Sequence, residues 1–523
     1  MKKRHWFSIF GCCFAAIFSL SGAVSNKNDI QKTLYAKNTQ VEIVSSTDHV
    51  LAKFWKKKNL PLPMEAADHV MVRRLYLDLT GRLPTVDEAK KYCASQDPKK
   101  QSRLAAKLVY SSEFARFWTM RFCDILRVKS EFPINLWPNA VYAYERRIYD
   151  FLSRKESCDD FFYSLLTASG SNFRVAEVNF YRAGANKTPE GIAQNVMLTL
   201  FGIRFEELSK VKQKEIAEFF SGVRFKATKE WKEEIVFHDY LPERVLTLPN
   251  GSTVTIPAGA DSRKYFAEYA VYGKGKKLMA EAMVNRVWFW IFGKGLAETP
   301  DALNRKQSIP REIQRVLSGN FLRRKCSFQR LCLDIVTTAA YRAASIQHDQ
   351  TAMSKAFAAY PVRRLEAEVL SDAIRDLTGT PWKYSSVIPE PFTYLPPEMR
   401  TIQIADGSIN DSFLILFGRP ARDSGFLAER KNNITAKQRL FLFNSGSIFR
   451  KLSRIAAYHQ LRKMSVKEQI DTLYWLFYSR PPTAAEKSII MKKYKEYPDR
   501  KKWNFYQDIA WILVNSAEFL HQH

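Results

Sequence analysis

Apolar residues recur along most of this chain at the three- and four-residue spacings of helices that bury one face. Residues 104–128 carry Leu104, Leu108, Phe114, Phe117, Trp118, Phe122, Ile125 and Leu126 in that rhythm, broken at Ser111-Ser112. Two helices on one core are predicted there. Further helices are predicted from Asp48, over Tyr142–Leu152 and Cys158–Thr167, and from Pro189 to Phe201, where Pro sits in the first turn and its missing N–H costs nothing. The same period runs through Lys212–Phe220, Phe321–Tyr341 and Arg363–Leu377. Asn285–Phe292 crowds Trp288, Phe289, Trp290 and Phe292 ahead of Gly293, a density that points to a core seam rather than a ligand box. The texture changes at Ile235-Val236-Phe237, Val245–Leu248, the Asn250-Gly251 turn and Thr253–Ile256, which read as strands and a small hairpin. The expected fold is therefore mainly α, with helical modules at 48–222 and 262–523 joined by a β-hairpin connector at 223–261. Residues 26–47 are polar and without period, the pattern of a mobile leader, and Thr380–Gly418 reads as a long surface excursion.

One stretch occurs twice. Leu75-Tyr76 leads to Arg82, Pro84, Thr85 and Glu88, and Leu473-Tyr474 leads to Arg480, Pro481-Pro482, Thr483 and Glu486. In each copy a helix ends at a proline and the next begins with Thr as N-cap and Glu three residues on, a reciprocal capping box. A third shared piece follows, Ser111-x-Glu113-Phe114 against Ser516-x-Glu518-Phe519. A helical unit thus brackets the protein.

The first 25 residues have the form of an export signal: Lys2, Lys3 and Arg4, an apolar run from Trp6 to Leu20, then small residues for cleavage after Ala23 or Ser25. The apolar run is short against the roughly 20 residues a bilayer needs. Later segments offer no membrane span either, so the expected location is exported, periplasmic or at the cell surface. Cleavage lowers the formal charge from +28 to +25 by removing Lys2, Lys3 and Arg4. Outside the cytoplasm such a surplus faces no nucleic acid; the polyanions available are acidic or sulfated polysaccharides, lipid head groups and cell-wall polymers. Solvated helix faces are the other use for scattered lysines.

Five cysteines follow the signal, Cys93, Cys123, Cys158, Cys326 and Cys332, an odd number without C-x-x-C. Read on one helix, Cys326 and Cys332 stand roughly 9 Å apart, beyond disulfide reach. Buried free thiols are the default, and one distant pair stays open.

Leu75–Thr85, Leu166–Arg174, Asn179–Arg182, Val284–Trp288, Arg363–Leu370, Phe417–Pro420 and Ser479–Thr483 closely resemble, in order along the chain, the paired domains of unknown function fifteen-forty-nine and fifteen-fifty-three. These belong to an exported family abundant in planctomycetes, verrucomicrobia and lentisphaerae. The resemblance implies an N-terminal module to about residue 222 and a C-terminal one from about 262. Many relatives carry a C-x-x-C-H haem signature after the segment matching Leu200–Arg204. Here Phe205–Lys210 holds neither cysteine nor histidine, so no c-type haem, and no other cofactor, is expected. Relatives often stand beside sulfatase-like exported proteins in carbohydrate-rich neighbourhoods, which implies such a partner and an anionic polysaccharide.

The chain has no G-x-S-x-G, no P-loop and no H-E-x-x-H. His238-Asp239 after Glu233-Glu234, and Asp68-His69, crowd histidine with acids, but adjacent strand residues face opposite ways. No metal site is expected. The leading ligand candidates are Arg419, Arg422, Asp423, Glu429 and Arg430, a Pro- and Gly-bearing loop whose guanidinium forks suit carboxylate or sulfate. Asn172, Arg174, Asn179 and Arg182 form a second polar loop. Internal scaffolding is the competing use of both. The expected function is a non-catalytic exported binding or scaffold protein; the alternatives are an exported hydrolase acting on polysaccharide and a haem-less remnant of a redox module.

Overall fold

The computed structural model describes residues 34–346, 350–455, 458–498, 502 and 505–523. The export signal expected at 1–25 lies outside them. The fold is mainly α, in two helical modules with small sheets of two or three strands. No helix among the described residues is long and apolar enough to cross a membrane.

The modules share one core. Helix Ser112–Ile125 of the first half sends Trp118 against Trp290 of helix Lys276–Phe292 in the second, ring centroids 5.7 Å apart and edge to face. Phe328, which opens helix Phe328–Val336, closes on Trp118 and Phe122 at 5.1 Å each. Lys276–Phe292 is buried nearly all round, as a helix without a polar face must be. The aromatic stretch is thus the seam of the molecule. Arg286 of the same helix donates to the carbonyls of Leu198 and Thr199, in the last turn of helix Pro189–Phe201, where a cation also suits the helix dipole.

The repeat is a structural repeat. Gly81 ends helix Asp68–Thr80 at φ 64°, and Ser479 ends helix Val466–Tyr478 at φ 60°. Arg82 then grips Glu88 with Nη1 at 2.8 Å and Nη2 at 3.0 Å, and Glu113 through Nε at 2.8 Å. Arg480 repeats this on Glu486, at 2.9 Å twice, and on Glu518 at 2.7 Å. The two units also touch: Arg73 donates to the carbonyls of Phe477 at 2.8 Å and Phe519 at 3.0 Å.

Several expectations change. Residues 36–47 are not a free leader: strand Ala36–Gln40 pairs antiparallel with Met64–Ala66, and Ser45 caps helix Ser46–Lys57, because the polar stretch finds backbone partners that no periodicity advertises. The segment 223–261 is more than a connector. Its hairpin, Arg244–Thr247 with Thr253–Ile256, forms as expected, but Glu234–His238 is the central strand between Val223–Ala227 and Gly170–Ser171, tying it to the first half. Phe321–Tyr341 is interrupted by Lys325 and Cys326 at positive φ, so Cys326 leaves the helix. Arg363-Arg364 is not helical; it pairs with His521-Gln522 as a short strand, and helix Ala367–Thr378 starts only after it. The five cysteines are free, Cys93 half-buried and the others buried.

Candidate functional site

The arginine loop closes on the molecule's own acids. It leaves helix Ser412–Leu416 through Gly418, whose φ of 81° and a Lys431 carbonyl 1.9 Å from where a Cβ would stand admit only glycine. Arg419 is buried, donates to the carbonyls of Ile409 and Asp406 and lies 3.4 Å from Glu368. Arg422 is fully buried, at a positive φ of 61°, with Nε on Asp124 Oδ1 at 2.8 Å and Nη1 on the Ala405 carbonyl. Arg430 sits between Asp124, at 2.7 Å from Nη2, and Glu368, at 2.6 Å from Nη1. Burial pushes the Glu368 carboxyl up, but Arg430 and then Arg419 outweigh it and hold it at about 2. Glu429 folds back to accept from the Asp423 N–H at 2.9 Å and the Ser424 hydroxyl at 3.1 Å, and Asp423 pairs with Lys129 at 2.6 Å. Open forks for an anion are therefore not what this loop presents. Desolvated guanidinium groups need acceptors, and the fold supplies them internally.

The second polar loop divides. Arg174 is exposed, whereas Asn172, Asn179 and Arg182 are buried. Asn172 Oδ1 accepts from the Glu234 N–H at 2.9 Å, and Asn179 donates to the Asn172 carbonyl at 2.8 Å. Arg182 donates to Glu234 at 2.6 Å and to the Leu136 carbonyl at 3.2 Å. These residues hold separate loops together. Of the histidine clusters, His238 lies 3.2 Å from the Ser262 hydroxyl, and Asp68 is taken up by Lys37 at 3.0 Å and Lys100 at 2.6 Å.

Between the modules lies a cavity of about 390 Å³, lined among others by Phe289, Trp290, Arg121, Glu366, Arg430 and Asn432. Helix Ser112–Ile125 brings Arg121 and Asp124, and the segment ahead of helix Ala367–Thr378 brings Glu366. Arg121 Nη1 meets Glu366 Oε1 at 2.6 Å with both side chains buried. Among the described residues Arg121 Nε, Glu366 Oε2 and Asn432 Oδ1 have no hydrogen-bond partner, although Glu366 Oε2 lies 3.6 Å from Arg430 Nη1. The charges thus largely neutralise one another. Sequence reading missed Arg121, Asp124, Glu366 and Glu368 as a group. The available signal was their charge inside otherwise apolar helical runs.

Residues 46–214 match Protein of unknown function (DUF1549), and residues 262–494 match Protein of unknown function (DUF1553). The chain belongs to the family that pairs these two domains. No curated protein and no solved structure matches it. In this DUF1549–DUF1553 chain the cavity described above falls on the seam between the two matched regions, with Arg121 and Asp124 from one and Glu366 and Arg430 from the other. Phe205–Glu207, just after Leu200–Arg204, is a short turn whose Glu207 accepts from Arg305 Nε at 2.9 Å.

Proposed function

We propose that this is an exported, non-catalytic binding or scaffold protein that associates with an anionic polysaccharide, alone or beside a sulfatase-like partner acting on the same polymer. The partition of its cations carries the reading. Among the described residues twelve arginines and eight acids are buried and no lysine is. Burial therefore absorbs only a small part of the formal surplus of +28. Exposed lysines such as Lys56, Lys57, Lys58, Lys210, Lys212 and Lys214 hold much of the rest, where they attract a polyanion at long range and lose that attraction as salt rises. The test is retention of the purified protein on immobilised heparin and chondroitin sulfate. Elution by salt, with no retention on a polycation, is the expected result; passage through both polyanion columns at low salt would remove the reading.

The seam cavity favours a second reading, an exported hydrolase, because Asp124 and Glu366 converge on it. Each lies against a guanidinium, at 2.7 and 2.6 Å, which suits a structural acid better than a proton shuttle. Turnover of a polysaccharide that disappears in E366Q while the fold persists would establish it.

A further inference from the structure

We infer that the rings of Trp231, Trp137 and Phe392, with Lys232 beside them, form the surface on which an acidic polysaccharide chain docks. Three separate stretches meet there. Trp137 lies 6.3 Å from Trp231 and 5.4 Å from Phe392, ring centroid to centroid, each pair edge to face. Trp231 is 68% exposed, Phe392 42%, and Tyr394 and Phe132 on the same loops 61% and 82%. Large rings left in water forgo the stabilisation of burial, so a cluster of them marks a contact surface.

The fold holds this cluster deliberately. Trp137 and Lys232 both adopt positive φ, 73° and 62°, conformations that a residue with a Cβ seldom takes. Arg182 overcomes that by tying the two loops to one guanidinium: it bonds the Leu136 carbonyl next to Trp137 and the Glu234 carboxylate next to the Trp231 turn. Asn172 adds a bond to the Lys232 carbonyl at 3.3 Å. The polar loop singled out in the sequence is the buttress of the surface, not the surface.

The chemistry selects the occupant. The face of an aromatic ring is electron-rich and attracts the polarised C–H groups of a sugar ring, which a polysaccharide offers at every residue. Lys232 Nζ lies 5.6 Å from the Trp231 centroid and 5.9 Å from that of Trp137, and among the described residues no carboxylate is paired with it. Two neighbouring acids are engaged elsewhere, Glu233 by Ser171 and by Thr228 at 2.8 Å and Glu234 by Arg182 and by Lys187 at 3.3 Å, while Glu131, Glu230 and Glu390 lie on the same loops. An unpaired cation among exposed rings complements a sugar that carries sulfate or carboxylate. The loop that carries Trp137 also lines a hollow of about 400 Å³, through Phe132 and Asn135 with Asn186 and Lys187 opposite.

This inference rests on the polyanion reading for its charge, but its rings can be tested apart from it. Full-length protein and its W231A, K232A and K277A variants are titrated with chondroitin sulfate and with neutral dextran by calorimetry, and each is sedimented for self-association. W231A should weaken chondroitin sulfate binding about tenfold and K232A several-fold, with K277A, an equal loss of charge at an exposed lysine elsewhere, close to wild type. Wild-type binding that W231A leaves unchanged, or that K277A reduces as much as K232A, overturns the inference while the basic-surface reading stands. Loss of a wild-type dimer in W231A also overturns it, by making the rings an interface between copies. If wild type binds dextran alone and W231A abolishes that, the ring surface stands and the acidic ligand falls.

Discussion

Arg430 and Asp124 stand 306 residues apart in the chain and meet at 2.7 Å across the seam of the two modules. The same guanidinium reaches Glu368 at 2.6 Å, so one side chain bridges the buried Glu368 and the half-buried Asp124 from different halves. Arg430→Ala should destabilise the protein by about 3 kcal/mol, because Glu368 then keeps only Arg419, at 3.4 Å, and Asp124 only Arg422, at 2.8 Å. Arg430→Lys should fall in between, since a single ammonium cannot grip both in fork geometry. Urea denaturation checks this, and a midpoint equal to wild type would contradict it.

The repeated arginines should differ in weight. Arg480 is 2% exposed in its side chain and Arg82 16%, although both close on two glutamates. Arg480→Ala should therefore cost about 3 kcal/mol or more and Arg82→Ala about 1–2 kcal/mol. Thr85→Ala and Thr483→Ala, which each remove one half of a capping box, should cost about 1 kcal/mol apiece. Thermal unfolding of the four variants would rank them, and an inverted order for the arginines would count against the packing described.

Stability should fall on acidification in two steps. Burial, and then Arg480, press the His69 imidazole down to about 4, so the folded state resists a proton that the unfolded chain accepts near 6.5. That contribution is complete above pH 6.5 and is lost as pH falls to 4, up to roughly 3 kcal/mol. Glu368, held at about 2, keeps its contribution above its unfolded value near 4.5 and loses it between there and pH 2. His69→Phe should flatten the upper step alone in a series of denaturation curves from pH 8 to 3.

Gly418→Ala should unfold or severely weaken the C-terminal module. A methyl at that position meets the Lys431 carbonyl at 1.9 Å on a backbone already at φ 81°. Gly446→Ala, whose added carbon meets nothing within 4 Å, is the matched control. Equal melting temperatures for the two would refute the steric argument.

Local patterns made much of this legible. The capping boxes at Thr85 and Thr483, the αL stop at Gly293, and the aromatic seam near Trp290 all follow from spacing and side-chain type within one or two turns. The strand at Ala36–Gln40 was not legible, because its partner at Met64–Ala66 gives a three-residue signal. The Trp137, Trp231 and Phe392 cluster was hidden for a related reason: one ring from each of three loops shows no period.

Sequence alone determined the helices, the internal repeat, the family pairing and the presence of many arginines, since each depends on residues close together in the chain. Only the tertiary structure decided what those arginines do. Whether a guanidinium faces water or a carboxylate depends on where residue 124 lies relative to residue 430, and no local pattern specifies that distance. Packing turned the sequence's candidate binding loop into the clasp between the modules, and left the exposed rings and lysines as the surface that meets the outside.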